Sequence, residues 1–153
     1  MASKPIKEKI MSTRSCISKL NEDGTITGIY CHFDGYVSGN GDLLHKHYQD
    51  EEKVNKLVNL GDISSLNEEV EAPEGVEHSY NRPHKGVTVA YGRDRGETGV
   101  EPTVSKDKED FVKKWKDNWC EYFYQFRESK WYWGKSPSNI DNELTQEDID
   151  KDS

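Results

Sequence analysis

Strict alternation of apolar and polar residues marks the first periodic part of the chain. Residues 14–20 and 25–33 read as two strands joined by Asn21-Glu-Asp-Gly24, whose Asp-Gly pair favours a hairpin turn. In the second strand Ile29, Cys31 and Phe33 share one face and are expected to point into the core, which turns Tyr30 and His32 the other way. Beyond a glycine-rich loop the period lengthens. Leu43/His47 and Leu44/Tyr48 stack at i, i+4 in a short helix capped by Asp42. Val54, Leu57 and Val58 form the apolar stripe of a second helix, capped by Asp50 and stopped at Gly61. A short strand is expected at 63–66.

The stretch 67–85 is acidic, contains Pro73 and Pro83, and reads as a surface excursion. Val87, Val89 and Tyr91 alternate in a strand over 87–91, and 92–103 reads as a polar loop. Phe111, Trp115 and Trp119 recur at i, i+4, i+8 and predict a core-facing ridge on a helix capped by Ser105 or Asp107. Tyr122, Tyr124 and Phe126 then alternate, and Trp131 and Trp133 answer them across a hairpin. The predicted class is α+β: an antiparallel sheet of about five strands with about three helices packed on it. Residues 1–10 read as a flexible leader, 11–135 as a single domain, and 136–153 as an acidic, disordered tail.

Composition narrows the setting. A chain of 153 residues suits one domain, and a charged fraction of 33% against 32% hydrophobic leaves much of it solvated. Net charge is −8, with six carboxylates against one lysine in 141–153. An acidic body argues against generic duplex DNA binding but leaves room for a local arginine pocket. No apolar run reaches the roughly 20 residues that span a bilayer, and nothing reads as a signal peptide, so no membrane contact and a cytoplasmic location are expected. Cys16, Cys31 and Cys120 form an unpatterned set and read as reduced, mostly buried thiols.

The chemistry concentrates in Ile29-Tyr-Cys-His-Phe-Asp-Gly-Tyr36 and the Leu43-Leu-His-Lys-His-Tyr48 that follows. Cys31, His32, Asp34, His45 and His47 are zinc-type ligands. On a strand Cys31 and His32 face opposite ways, and on a helix His45 and His47 diverge by about 200°. Cys31, His32 and His47 remain as metal candidates, against the plainer reading of one core thiol and two ordinary histidines. His32 and Asp34, two apart on an extended chain, could act as a general acid/base pair. Alternatively, Asp34 serves the turn and His32 bonds locally; no serine nearby sits in an elbow motif. In Tyr91-Gly-Arg-Asp-Arg-Gly96, Arg93 and Arg95 leave the end of a strand and could hold a phosphate or a partner's carboxylates, with Tyr30, Tyr36 or Tyr91 stacking on a base. The plainer reading pairs Arg95 with Asp94 or Glu97. One shared pocket requires the His32 and Arg93 loops to leave the same end of the sheet. Gly39-Asn-Gly41 is neither a P-loop nor a dinucleotide fingerprint, and no cofactor is expected. Four tryptophans and eight tyrosines exceed what one small core needs and would suit an interface.

Met11-Ser-Thr-Arg-Ser15, the Ile29–Tyr36 block, His47-Tyr48, Leu60-Gly-Asp-Ile-Ser-Ser-Leu66 and Gly86-Val-Thr-Val-Ala-Tyr-Gly-Arg-Asp-Arg-Gly96 together resemble an uncharacterised family of small bacteriophage and prophage proteins. The resemblance covers roughly residues 11–133 and brings no catalytic residue with it. It implies a phage accessory protein acting in the cytoplasm of a bacterial host. The leading expectation is therefore a non-enzymatic host-takeover or anti-defence factor that binds a host protein or sequesters a small phosphorylated, nucleotide-like molecule. Arg14, Arg93 and Arg95 would supply charge, beside Tyr30, His32, Asp34, Tyr36 and Tyr91. Such sequestration would suit a homo-oligomer. The alternatives are a hydrolase or nuclease-like enzyme using His32 and Asp34, and a structural accessory or virion protein.

Overall fold

The computed structural model describes residues 12–152, so the expected leader 1–10, Met11 and Ser153 lie outside the described residues. The fold is α+β. Its strands are β1 (Ser15–Leu20), β2 (Ile26–Cys31), β3 (Ile63–Ser65), β4 (Val89–Ala90), β5 (Thr103–Ser105), β6 (Tyr122–Arg127), β7 (Lys130–Gly134) and β8 (Asn142–Glu143). Its α-helices are α1 (Asp42–His47), α2 (Glu51–Val58), α3 (Tyr91–Arg95), α4 (Lys108–Trp115) and α5 (Gln146–Asp152), and a π-helical turn at Val37–Gly41 leads into α1. No helix among the described residues is long and apolar enough to cross a membrane.

The eight strands make one open sheet in the order β4-β3-β2-β1-β6-β7-β8, with β5 also on β2. The two predicted hairpins form as expected. Ile17 lies opposite Ile29 across the β1–β2 turn, where Gly24 takes φ +91°. Tyr124 meets Trp133 and Phe126 meets Trp131 across the second turn. There Glu128 and Ser129 both adopt positive φ, as a two-residue turn matched to strand twist requires. The sheet is mixed rather than antiparallel, because β1 pairs with β6 in parallel and β2 with β3 in parallel. Strands and helices both outnumber the sequence expectation, since the extra strands of two or three residues and helices of five and seven carry too little periodicity to register.

Alternation gives the sheet two apolar faces. Ile17, Ile29, Cys31, Tyr124, Phe126 and Trp131 face α1, α2 and α5 through Leu44, Val54, Leu57, Val58 and Ile149. On the opposite face Cys16, Ile26 and Phe123 are covered by Phe111 and Trp115 of α4 and by Ile140. Each fully buried aromatic or aliphatic side chain contributes about 1.5–3 kcal/mol. α4 comes close because Gly28 has no side chain: a Cβ there would lie 3.1 Å from the Trp115 ring.

Further expectations change at individual residues. Phe33 lies past the end of β2 and is 37% exposed instead of buried. The strand predicted over 87–91 survives only as β4, and Tyr91 begins α3, so Arg93 and Arg95 sit on a helix. Asp42 is the first residue of α1 and not its side-chain cap, whereas Asp50 and Asp107 cap α2 and α4 as expected, accepting from Lys53 N and Asp110 N. Residues 136–152, expected as a disordered tail, carry β8 and α5 and bury Ile140, Leu144 and Ile149. Three apolar anchors suffice to dock the segment, and their wide spacing hides them in an acidic background.

Candidate functional site

Both β3 and β5 pair with the same edge of β2. β5 takes Ile26–Gly28 and β3 takes Cys31, which leaves the ladder open between them. Asp62, one residue before β3, fills that opening: its Oδ1 accepts the Tyr30 N–H at 3.0 Å. A cleft of about 500 Å³ lies here, lined by Arg14, Tyr30, Asp62, Thr103 and, from α4 and the turn after it, Trp115, Asn118 and Trp119.

Each wall has a local cause. Arg14 immediately precedes β1, and its carbonyl accepts from Glu121 N at 2.9 Å, closing the parallel β1–β6 ladder just before β6. Its Nε is buried with no hydrogen-bond partner among the described residues. A buried donor left without an acceptor is uncommon and costs about 1–3 kcal/mol. Trp119 was expected to continue the Phe111/Trp115 ridge into the core. Instead α4 ends at Trp115, and Trp119 is 80% exposed at φ +61°. For a bulky L-residue that left-handed conformation costs about 1–2 kcal/mol. An aromatic side chain held outward on such backbone at the lip of a cleft is suited to a stacking contact. The Trp115 Nε1–H is also buried and unpartnered among the described residues; it lies against Gly28 of β2.

The electrostatics of the cleft follow from Arg14 and burial. Burial pushes the Tyr30 phenol up to about 12, with Arg14 pulling the other way. Tyr30 Oη lies 2.7 Å from His32 Nδ1, and either atom donates according to the ring tautomer. Burial first, and Arg14 second, hold His32 below the ordinary imidazole value, so the ring is neutral at pH 7. Burial raises the Asp62 carboxyl, opposed by the Tyr30 N–H bond. One guanidinium, one carboxylate and a phenol–imidazole pair thus share the end of β2, with two indoles beside them.

The other sequence candidates lie elsewhere. His32 and Asp34 do not pair: Asp34, at φ +58°, accepts from Tyr36 Oη at 3.1 Å, while His32 turns to Tyr30. Asp34 and Tyr36 belong to a locked turn, in which Asn40 N donates to the Asp34 carbonyl and Tyr124 Oη donates to the Gly35 carbonyl at 2.6 Å. Cys31 is fully buried, its Sγ donating to the Phe33 carbonyl and accepting from Asn40. Burial pushes its thiol up to about 12. Cys31, His32 and His47 are not brought together, and no three His, Cys, Asp or Glu side chains among the described residues are placed to hold a metal ion.

Arg93 is engaged by the fold. Its Nη1 donates to the Val70 carbonyl at 2.5 Å, its Nη2 to the Thr88 carbonyl at 2.7 Å, and its Nε to Asp94 Oδ1 at 2.9 Å. Asp94 also accepts from Ala90 N at 2.8 Å and lies 3.1 Å from His78 Nε2. His78 Nδ1 accepts from His84 N at 2.9 Å, so its proton sits on Nε2 and is donated to Asp94 or the Thr88 carbonyl. This buried Arg93–Asp94–His78 network ties the 67–85 excursion to α3. Arg95 pairs with Glu97 at 3.2 Å and lies over the Tyr80 ring, which also contacts Tyr91. His32 and Arg93 therefore take separate partners in the fold. Arg14 is the arginine that joins Tyr30 and His32. The sequence reading missed Asp62, Thr103, Asn118 and the outward turn of Trp119. Only the weak helix formers Asp117 and Asn118 hinted that α4 would stop short. Comparison with protein-family models, with curated proteins and with solved structures finds no match to this chain.

Proposed function

We propose that this protein is a phage-type, non-enzymatic binding protein that holds a small phosphorylated, nucleotide-like signal of a bacterial host in the cleft at the end of β2. One observation carries the reading: Arg14, with a buried and unpartnered Nε, shares a cleft with an indole, Trp119, that is 80% exposed on left-handed backbone. A phosphate oxygen would pair with the guanidinium of Arg14, which lines the cleft, through a charge-assisted hydrogen bond. A planar base would stack on Trp119, and Asp62 would accept from a ribose hydroxyl or a base amino group. The net charge of −8 favours a small anion over a long polyanion, whose distant phosphates the acidic body repels. Binding in place of turnover fits the division of His32 and Asp34 between two different tyrosines.

Native mass spectrometry of the protein isolated from bacterial cells tests the reading. The expected result is a mass excess of nucleotide size that disappears on denaturation and is absent from Arg14→Ala. A wild-type protein that carries nothing and binds no nucleotide in solution rejects it.

A further inference from the structure

A second cavity, of about 370 Å³, opens on the same face of the sheet beyond α4, between the β1–β2 turn and the segment 137–141. Its apolar wall comes from Leu20, Ile26, Phe111 and Ile140. Its polar lining is Gln125 of β6, only 7% exposed, with Lys108, Arg127 and Asp141. The Gln125 amide has a defined orientation, because its Oε1 accepts from Arg127 Nη1 at 2.9 Å. That contact turns the Nε2–H₂ end away from the arginine, where it meets no hydrogen-bond acceptor among the described residues. Arg127 itself is engaged by the fold, donating to the Ile140 carbonyl at 3.0 Å, pairing with the Asp141 carboxylate at 3.4 Å and lying over the Tyr132 ring at 3.9 Å, so both members of that ion pair are already matched. It serves as the brace that aims Gln125. Lys108 stands at the cavity edge as a cation with no ion pair among the described residues.

An apolar cavity of this size with one oriented donor is how small-molecule sites are built. From the cavity, the free amide end of Gln125 in its lining and the cation at the edge we infer that this cavity is a second ligand site, distinct from the Arg14 cleft, for a small carboxylic acid with an apolar body. The carboxylate accepts from Gln125 Nε2 and faces Lys108. The hydrocarbon part lies between Phe111, Ile26 and Ile140.

The test is a titration of the ¹⁵N-labelled protein with 3-phenylpropionate, followed by amide chemical shifts, beside 3-phenylpropylamine. The acid is expected to shift Ile26, Phe111, Gln125 and Ile140 saturably, and the amine, which offers only donors, to leave them in place. Gln125→Met keeps the side-chain shape without the donor and should raise the Kd about tenfold, the worth of one net hydrogen bond. Leu20→Trp, at a position already 36% exposed, should close the mouth without disturbing the core. Absence of shifts at those four residues, an amine that binds as well as the acid, or unchanged affinity in Gln125→Met overturns the assignment. If Gln125→Met does not fold, unchanged affinity in Leu20→Trp overturns it alone.

Discussion

Removing Arg93 separates a structural role from a binding role. Arg93 looks like the best phosphate ligand in the sequence, yet it bridges the Val70 and Thr88 carbonyls and holds the Asp94 carboxylate. The side chains are 29% and 3% exposed, respectively, so the pair is largely withdrawn from water. Truncating one member of such a pair leaves a buried charge and an orphaned Val70 carbonyl, a loss of about 3–5 kcal/mol. For a domain of this size that lowers Tm by roughly 6–20 °C. The effect has a pH signature. Burial raises the Asp94 carboxyl, but its bonds from Arg93 and Ala90 outweigh burial, so its folded value lies below the ordinary carboxylate one. The stabilisation is then fully present above the unfolded value of about 3.9 and lost as pH falls through the folded value. Thermal unfolding of Arg93→Ala and wild type from pH 7 to pH 3 should show a wide gap that narrows below about pH 4. A variant within about 1 kcal/mol of wild type at pH 7, or a gap independent of pH, would refute the buried-network reasoning.

Leu144→Ala, at a core position 3% exposed, should cost about 2–5 kcal/mol in denaturant unfolding, whereas a disordered tail would tolerate it without change. Arg14→Ala should move the His32 titration upward in NMR, because Arg14 is the second cause holding it down; an unmoved midpoint would separate the two residues. Burial pushes the Cys31 and Cys120 thiols to about 12 and raises Cys16 well above its usual value, so thiol reagents at pH 8 should modify the native protein far more slowly than the unfolded chain. Fast native labelling would contradict that burial.

Local signals carried the local structure. The hairpin partners Tyr124/Trp133 and Phe126/Trp131 were legible because alternation and a two-residue turn fix register between adjacent segments. The parallel pairing of β1 with β6 was not, since nothing in either strand records a partner about a hundred residues away. The i, i+4 spacing of Trp119 was real, but α4 ends before it, and the same residue moved from core to cleft edge. Arg93 and Arg95 advertised charge correctly. What the sequence could not show is that the Val70 and Thr88 carbonyls come round to meet Arg93. Asp62 gained its place only when β3 and β5 divided one edge of β2. Arg14, Tyr30 and His32 were the candidates that the fold brought together.

The most direct measurement is calorimetric titration of wild type, Arg14→Ala and Trp119→Ala with adenine and guanine mono-, di-, tri- and cyclic nucleotides. At least one nucleotide should bind the wild type saturably. Loss of a charge-assisted hydrogen bond in Arg14→Ala, or of a stacking face in Trp119→Ala, should each weaken it by about 1–3 kcal/mol, roughly tenfold or more. Trp119 is mostly solvated, so its removal should leave Tm nearly unchanged. A panel in which nothing binds, or a nucleotide whose affinity survives both substitutions, would contradict the assignment of this cleft.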